Sequence, residues 1–171
     1  MDPYGRTVTS STAFGNDIGE RQLGLDGSYT LLVEGRISAT GTSSYSFAVN
    51  LLEQAPAQSM ELDAVISGRI AQAGQRDEYQ FTLAGDTRVL FDSLSNDGSM
   101  NWSLQGPDRT VVSNRSFNNS DSFELSGNTS LLLEAGDYTL TIDGNGDHTN
   151  NYAFRLLDFS SATAINTGEA I

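Results

Sequence analysis

Apolar and polar residues alternate along several short stretches of this chain. In DEYQFTL (77–83) every second residue from the tyrosine onward is Tyr, Phe or Leu, and polar residues fill the positions between them. YTLTI (138–142) and YAFRLL (152–157) follow the same period of two. Such alternation is typical of β-strands with one buried and one solvated face. Because no window sustains a 3.6-residue apolar period, the pattern predicts an all-β protein.

Turn-forming residues separate these stretches, as in AGD, GPD and DGNG. Short strands divided by turn signals about every 8–12 residues build an antiparallel β-sandwich of the jelly-roll kind, which is the fold that we predict. Trp102 shares a period-two face with Leu104, so we expect it in the core between the two sheets. The alternative role for Trp102 is a platform on which a sugar stacks.

The chain contains the same pattern twice. Residues 27–35 (GSYTLLVEG) match residues 136–144 (GDYTLTIDG) at five of nine positions. Residues 6–17 match residues 109–120 at six of twelve positions, and residues 45–51 (YSFAVNL) align with residues 152–158 (YAFRLLD). We therefore predict strands at residues 27–35 and 45–51, as in the second copy. Similarity at a fixed spacing is the mark of a tandem repeat.

The repeat predicts three segments. Residues 1–56 form the C-terminal half of one β-sandwich repeat, residues 57–160 a complete repeat, and residues 161–171 the start of a further repeat or a linker. The half repeat lacks opening strands, so its strand edges need a partner, either the missing part of the parent protein or a neighbouring chain. The alternative is one large sandwich with internal similarity.

The charge of the chain narrows its partners. It has 9 Arg, no Lys and 22 acidic residues, so its net charge is 9 − 22 = −13. Such a surface repels nucleic acid and anionic lipid. No apolar run approaches the roughly 20 residues of a membrane span, so no membrane insertion is expected. The N-terminal residues do not resemble a signal peptide, and the chain has no Cys for a disulfide framework.

Three stretches resemble one known family: GRIAQAGQRDEYQFTL (68–83), AGDYTLTIDG (135–144) and YAFRL (152–156). They are similar to the bacterial pre-peptidase C-terminal domain, in the tandem form found in large secreted or surface proteins. The resemblance covers residues 62–160 and, as a half copy, residues 1–52. It implies a jelly-roll-like accessory module without an active site, located outside the cell or on its surface. Some members of the family bind calcium or an extracellular polymer.

One turn carries a candidate metal site. In DGNGDHTNN the residues Asp143, Asn145 and Asp147 place oxygen atoms at positions 1, 3 and 5, a spacing that suits Ca²⁺. It is not an EF-hand loop, because His148 and Phe154 occupy the positions of its Gly and Glu. The alternative is a hairpin turn that uses Asp, Asn and Gly for their backbone conformations.

No catalytic constellation is apparent, so we predict that the chain is not an enzyme. His148 is the only histidine and is expected to be solvated, since the sequence places no nucleophile beside it. The acidic turn at residues 95–99 is expected to be of type I′. Ca²⁺ is the one cofactor that the sequence suggests.

These observations predict a non-catalytic, extracellular structural or spacer repeat, in an adhesin-like secreted or surface protein that assembles into a filament by strand complementation. Its partners would be other repeats of the same or neighbouring chains, and extracellular polysaccharide or protein. The alternative function is a calcium- or polysaccharide-binding accessory module.

Overall fold

The computed structural model describes residues 1–16, 18–52, 55–120, 130–163 and 168. The chain divides into two compact units, Met1–Leu51 and Leu52–Ile171, close to the predicted boundary between residues 56 and 57. Residues 121–129 lie outside the described residues, as does most of the predicted further repeat at 161–171.

The second unit is a β-sandwich. Its described part contains nine strands: β1 (Gln58–Ser59), β2 (Ile66–Ile70), β3 (Arg76–Leu83), β4 (Thr87–Ser93), β5 (Met100–Gln105), β6 (Thr110–Ser116), β7 (Leu131–Leu133), β8 (Gly136–Gly144) and β9 (Asn150–Asp158). One sheet has the order β1-β3-β8-β5-β6 and the other has the order β2-β9-β4-β7. All pairings are antiparallel except that of β1 with β3. The predicted antiparallel β-sandwich is therefore confirmed.

The helical content is small. The residues that the structure describes contain two single-turn 3-10 helices, at Phe117–Asn119 and Phe159–Ser161. In the described part of the chain, no helical segment reaches the length and apolarity of a membrane span.

The core lies between the two sheets, where the alternating side chains of the strands meet. Trp102 is fully buried, and its ring stacks on that of Phe91 with centroids 4.1 Å apart. The Trp102 Nε1–H donates to Ser120 Oγ at 2.7 Å, so the polar edge of the indole is paired. Stacked aromatic pairs contribute about 0.5–1.5 kcal/mol beyond the burial of their area. The prediction that Trp102 belongs to the core is confirmed.

The last two strands of the second unit, β8 and β9, each lie in the interior of a sheet, and we call them the closing strands. β8 lies between β3 and β5, and β9 lies between β2 and β4. Each closing strand therefore pairs with two neighbours from the opening half of the unit, which contains β2 to β5. This dependence matters for the first unit, whose sequence matches only the closing half.

Candidate functional site

The three predicted calcium ligands lie where β8 ends and the loop to β9 begins. β8 and β9 belong to different sheets, so this loop crosses from one sheet to the other and the alternative of a hairpin turn was wrong. The Asp143 side chain is partly buried, and its Oδ2 lies 3.9 Å from Arg76 Nε. Burial raises the pKa of the Asp143 carboxyl, and the Arg76 charge opposes that rise. Asn145 and Asp147 are exposed. Among the described residues no group of three or more His, Cys, Asp or Glu side chains is placed to hold a metal ion, and calcium at residues 143–147 stays a prediction.

The single histidine takes part in a cluster that the sequence did not predict. His148 Nε2 lies 2.8 Å from Asp97 Oδ2, and Asn150 Nδ2 donates to the same oxygen at 2.7 Å. The Ser99 backbone N–H donates to Asp97 Oδ1 at 2.9 Å. We call these four residues the Asp97 clamp. The expectation of a solvated His148 was wrong, because its partner lies 51 positions away in the sequence and only the fold brings the two together.

The Asp97 clamp joins two loops at one end of the sandwich. The Asn145 N–H also donates to the Ser99 carbonyl at 2.8 Å, so the β4–β5 and β8–β9 loops are held together by side chains and backbone. Burial of Asp97 opposes its ionisation, but the hydrogen bonds from Asn150, His148 and Ser99 outweigh this effect and lower its pKa.

The prediction of a type I′ turn at residues 95–99 was wrong. Neither Asp97 nor Gly98 has the positive φ that both central residues of such a turn require. The hydrogen bonds that Asp97 makes to His148 and Asn150 hold the loop in a different conformation.

The first unit contains a large set of exposed apolar side chains. The strands predicted at residues 27–35 and 45–51 are absent, since residues 1–16 and 18–52 contain no strand. The exposed fractions are 50% for Leu31, 60% for Tyr45 and 58% for Phe47. Their matched residues in the second unit are Leu140, Tyr152 and Phe154, which are exposed by 0%, 2% and 0%. We call residues 1–51 the open half-unit.

Local contacts in the open half-unit nevertheless repeat those of the second unit. A Cβ atom on Gly27 would lie 2.9 Å from Pro3 Cγ, and one on Gly136 would collide with Pro107 Cγ. Both glycines have positive φ values, +131° and +146°. In each unit a proline therefore lies against the matched glycine, where a side chain would be strained and would not fit.

A tyrosine contact is also repeated. The Tyr29 hydroxyl donates to the Leu25 carbonyl at 3.0 Å, and the Tyr138 hydroxyl donates to the Glu134 carbonyl at 2.9 Å. Each bond reaches four residues back along the chain, as in the tyrosine corner of other β-sandwiches.

Two contacts between distant residues follow the same correspondence. The rings of Phe14 and Tyr45 lie 5.2 Å apart, and those of their matched residues, Phe117 and Tyr152, lie 6.2 Å apart. These two ring pairs show that the correspondence between the units extends to tertiary contacts.

The second of these contacts is a backbone pair. Thr30 N–H donates to the Met1 carbonyl at 3.0 Å, and the Met1 amine donates to the Thr30 carbonyl at 2.7 Å. In the second unit Thr139, the match of Thr30, is the register partner of Gln105. Met1 therefore stands where Gln105, the last residue of β5, stands in the complete sandwich.

Comparison with known proteins gives likenesses of fold. No family model and no curated protein matches the chain. It is similar to PliG, a periplasmic inhibitor of g-type lysozyme from Salmonella Typhimurium, with 22% identity, a TM-score of 0.46, and 60% of this chain and 97% of that chain covered. A PliG mutant from Escherichia coli is similar at 18% identity and a TM-score of 0.42, with 58% and 96% covered.

A third solved structure is the pre-peptidase C-terminal domain of a collagenase from Bacillus anthracis. It is 15% identical, with a TM-score of 0.47, and the match covers 63% of this chain and 99% of that chain. The chain is thus similar in structure to a member of the family that its sequence resembles. These likenesses assign no activity and no partner to this chain.

Proposed function

We propose that this chain is a non-catalytic structural module, a spacer repeat of a large secreted or cell-surface protein. The observation that carries the proposal is the set of contacts shared by the two units, above all the Gly27–Pro3 and Gly136–Pro107 pairs. Repeated units hold other domains at a set distance, because each unit contacts mainly its neighbours in the chain.

The arrangement around His148 supports a structural role for that residue. A histidine that activates a nucleophile in a catalytic triad needs that nucleophile on one ring nitrogen and an orienting carboxylate on the other. Asp97 shares its carboxylate with Asn150 and with the Ser99 backbone, which ties two loops together. The aromatic side chains of the sandwich also serve the core, and Phe159, exposed by 42%, is the one exposed aromatic residue in its described part.

Small-angle X-ray scattering of arrays tests the spacer role. One, two and three copies of residues 57–160 are joined in tandem, and the maximum dimension of each array is measured. A spacer gives a constant increment for each added copy. A dimension that stops growing, because the copies collapse on one another, would contradict the proposal.

Calcium binding at the β8–β9 loop is a second candidate function. The observation that favours it is the partly buried Asp143 carboxylate, which lies 3.9 Å from Arg76, beyond hydrogen-bonding distance. A cation bound by Asp143 and by the exposed Asn145 and Asp147 would offset the cost of burying that charge. The test is the calcium titration described in the Discussion.

A further inference from the structure

We infer that the open half-unit, residues 1–51, is a docking surface for an opening half of a β-sandwich, meaning a segment that supplies four strands with the apolar pattern of residues 66–105. This inference rests on the proposed repeat and names the partner of its incomplete unit. The register of the second unit defines what that partner must provide.

The first requirement comes from the five-stranded sheet. β8 pairs with the whole length of β3, from Arg76 opposite Asp143 to Leu83 opposite Gly136, and β8 pairs with β5 on its other edge. Among the described residues, the matched segment at 27–35 has a paired backbone position only at Thr30, opposite Met1. The partner must therefore supply the equivalent of β3 and most of β5.

The second requirement comes from the four-stranded sheet. β9 pairs with β2 on one edge and with β4 on the other. The matched segment, residues 45–51, has neither neighbour and forms no strand. A lone strand leaves both rows of backbone groups unpaired, so its conformation depends on neighbours that the open half-unit lacks.

Aromatic contacts specify the side chains of the partner. Phe154 packs against Tyr79 of β3 at 5.6 Å and against Phe91 of β4 at 5.1 Å. Phe47, the match of Phe154, is 58% exposed and lacks both rings. The partner therefore presents inward aromatic residues at the positions of Tyr79 and Phe91.

A third ring fits the same scheme. Phe81 of β3 stacks on Tyr138 with centroids 5.2 Å apart, and Tyr29 is the match of Tyr138. The partner is thus an aromatic-rich set of alternating strands, which would bury the apolar side chains that the open half-unit exposes.

A closed second copy of this chain is not that partner. Its strands β2 to β5 are already paired with its own β8 and β9, and they enclose its core. Offering them to another molecule would require opening the whole sandwich, at the cost of most of its burial. The fitting partner is an opening half that has no closing strands of its own.

The experiment supplies such a half and measures hydrogen exchange. Residues 57–104 are fused directly ahead of Met1 in the full chain, the junction at which Met1 takes the place of Gln105. We expect amide exchange within residues 27–51 to slow by roughly 100-fold or more, because these amides become paired in two sheets. Unchanged exchange in the fused chain would overturn the inference.

A matched control separates docking from mere fusion. The same fusion carries Phe81→Asp and Phe91→Asp in the added copy only, which places charges at inward positions. This control should leave residues 27–51 exchanging as fast as in the unfused chain. Equal slowing in the control and in the intact fusion would overturn the role assigned to the aromatic positions.

Light scattering tests the choice of partner. The unfused chain should remain a monomer across a wide range of concentrations. A polymer that grows with concentration and slows exchange within residues 27–51 would overturn our choice, since a second copy would then complete the open half-unit. Failure here is distinct from failure of the spacer role, because arrays of residues 57–160 lack the open half-unit and report on spacing alone.

Discussion

The hydroxyl oxygens of Tyr79 and Tyr152 lie 2.6 Å apart between the two sheets. Tyr152 donates its proton to Asp77 Oδ2 at 2.6 Å, so Tyr79 is the donor to Tyr152. Both tyrosines are buried, with exposed fractions of 3% and 2%. This chain of hydrogen bonds joins β3 to β9 across the core, and it stabilises the sandwich only while each member keeps its partner.

Removing the middle hydroxyl of this chain should destabilise the protein. Tyr152→Phe leaves Tyr79 without its acceptor, and we expect the free energy of unfolding to fall by about 1–3 kcal/mol. Urea unfolding followed by the fluorescence of Trp102 measures the change. Tyr45→Phe is the matched control, because Tyr45 is 60% exposed. Equal effects of the two substitutions would contradict a stabilising role for the buried hydroxyl.

Gly68 leaves the space that the Tyr152 hydroxyl occupies. A Cβ atom on Gly68 would collide with Tyr152 Oη and Cζ, so the Gly68→Ala variant must displace the tyrosine. Overpacking of this kind costs about 1–3 kcal/mol, and thermal unfolding should show a lower midpoint. Gly85→Ala is the control, since a Cβ atom there would meet nothing within 4 Å. A Gly68→Ala protein as stable as the control would show that the site relaxes without cost.

The same tyrosines predict loss of stability in alkali. Burial and the neighbouring Tyr79 and Asp77 groups raise the pKa of Tyr152, and burial raises that of Tyr79. Because the folded pKa values exceed the unfolded value of about 10, the stability from these groups is complete below pH 10 and is lost as the pH rises above it. Phenolate absorbance should show the two groups ionising together with unfolding. Their ionisation near pH 10 in a folded protein would contradict this prediction.

The Asp97 clamp predicts loss of stability in acid. The pKa of Asp97 is lowered in the folded protein. The stability that the ionised Asp97 carboxylate contributes is therefore complete above the unfolded pKa of about 4, and it is lost as the pH falls through the folded pKa. Asp97→Asn should lower the free energy of unfolding at pH 7 by about 1–3 kcal/mol and flatten its dependence on pH in acid. The control is the same change at the exposed Asp147. Parallel pH profiles for wild type and Asp97→Asn would contradict the role of the clamp.

Calcium should stabilise the protein if the β8–β9 loop binds it. A ligand that binds only the folded form raises the unfolding midpoint, by an amount equivalent to about 2.7 kcal/mol at 100 times its dissociation constant. We expect the rise to disappear in Asp143→Asn and to persist in Asp108→Asn, a matched change in another exposed loop. An unchanged midpoint at millimolar calcium would remove the metal site and leave the structural module.

The all-β class and most of the core followed from the sequence alone. Strand side chains alternate between faces, so the inward positions of β3 and β9 could be read from a period of two, and Trp102 could be placed beside Leu104. The matching segments also indicated which contacts recur, as Tyr29 and Tyr138 do with their upstream carbonyls. These features are local, and local sequence is enough to determine them.

Only the tertiary structure decided which distant residues meet. His148 and Asp97 are 51 positions apart, and Tyr79 and Tyr152 are 73 apart, so neither pair leaves a pattern in the sequence. Tertiary structure also decided the state of residues 27–51, which carry the alternation of β-strands but form none. A strand is stabilised by hydrogen bonds to its neighbours, and the neighbours that this segment requires are not part of the open half-unit.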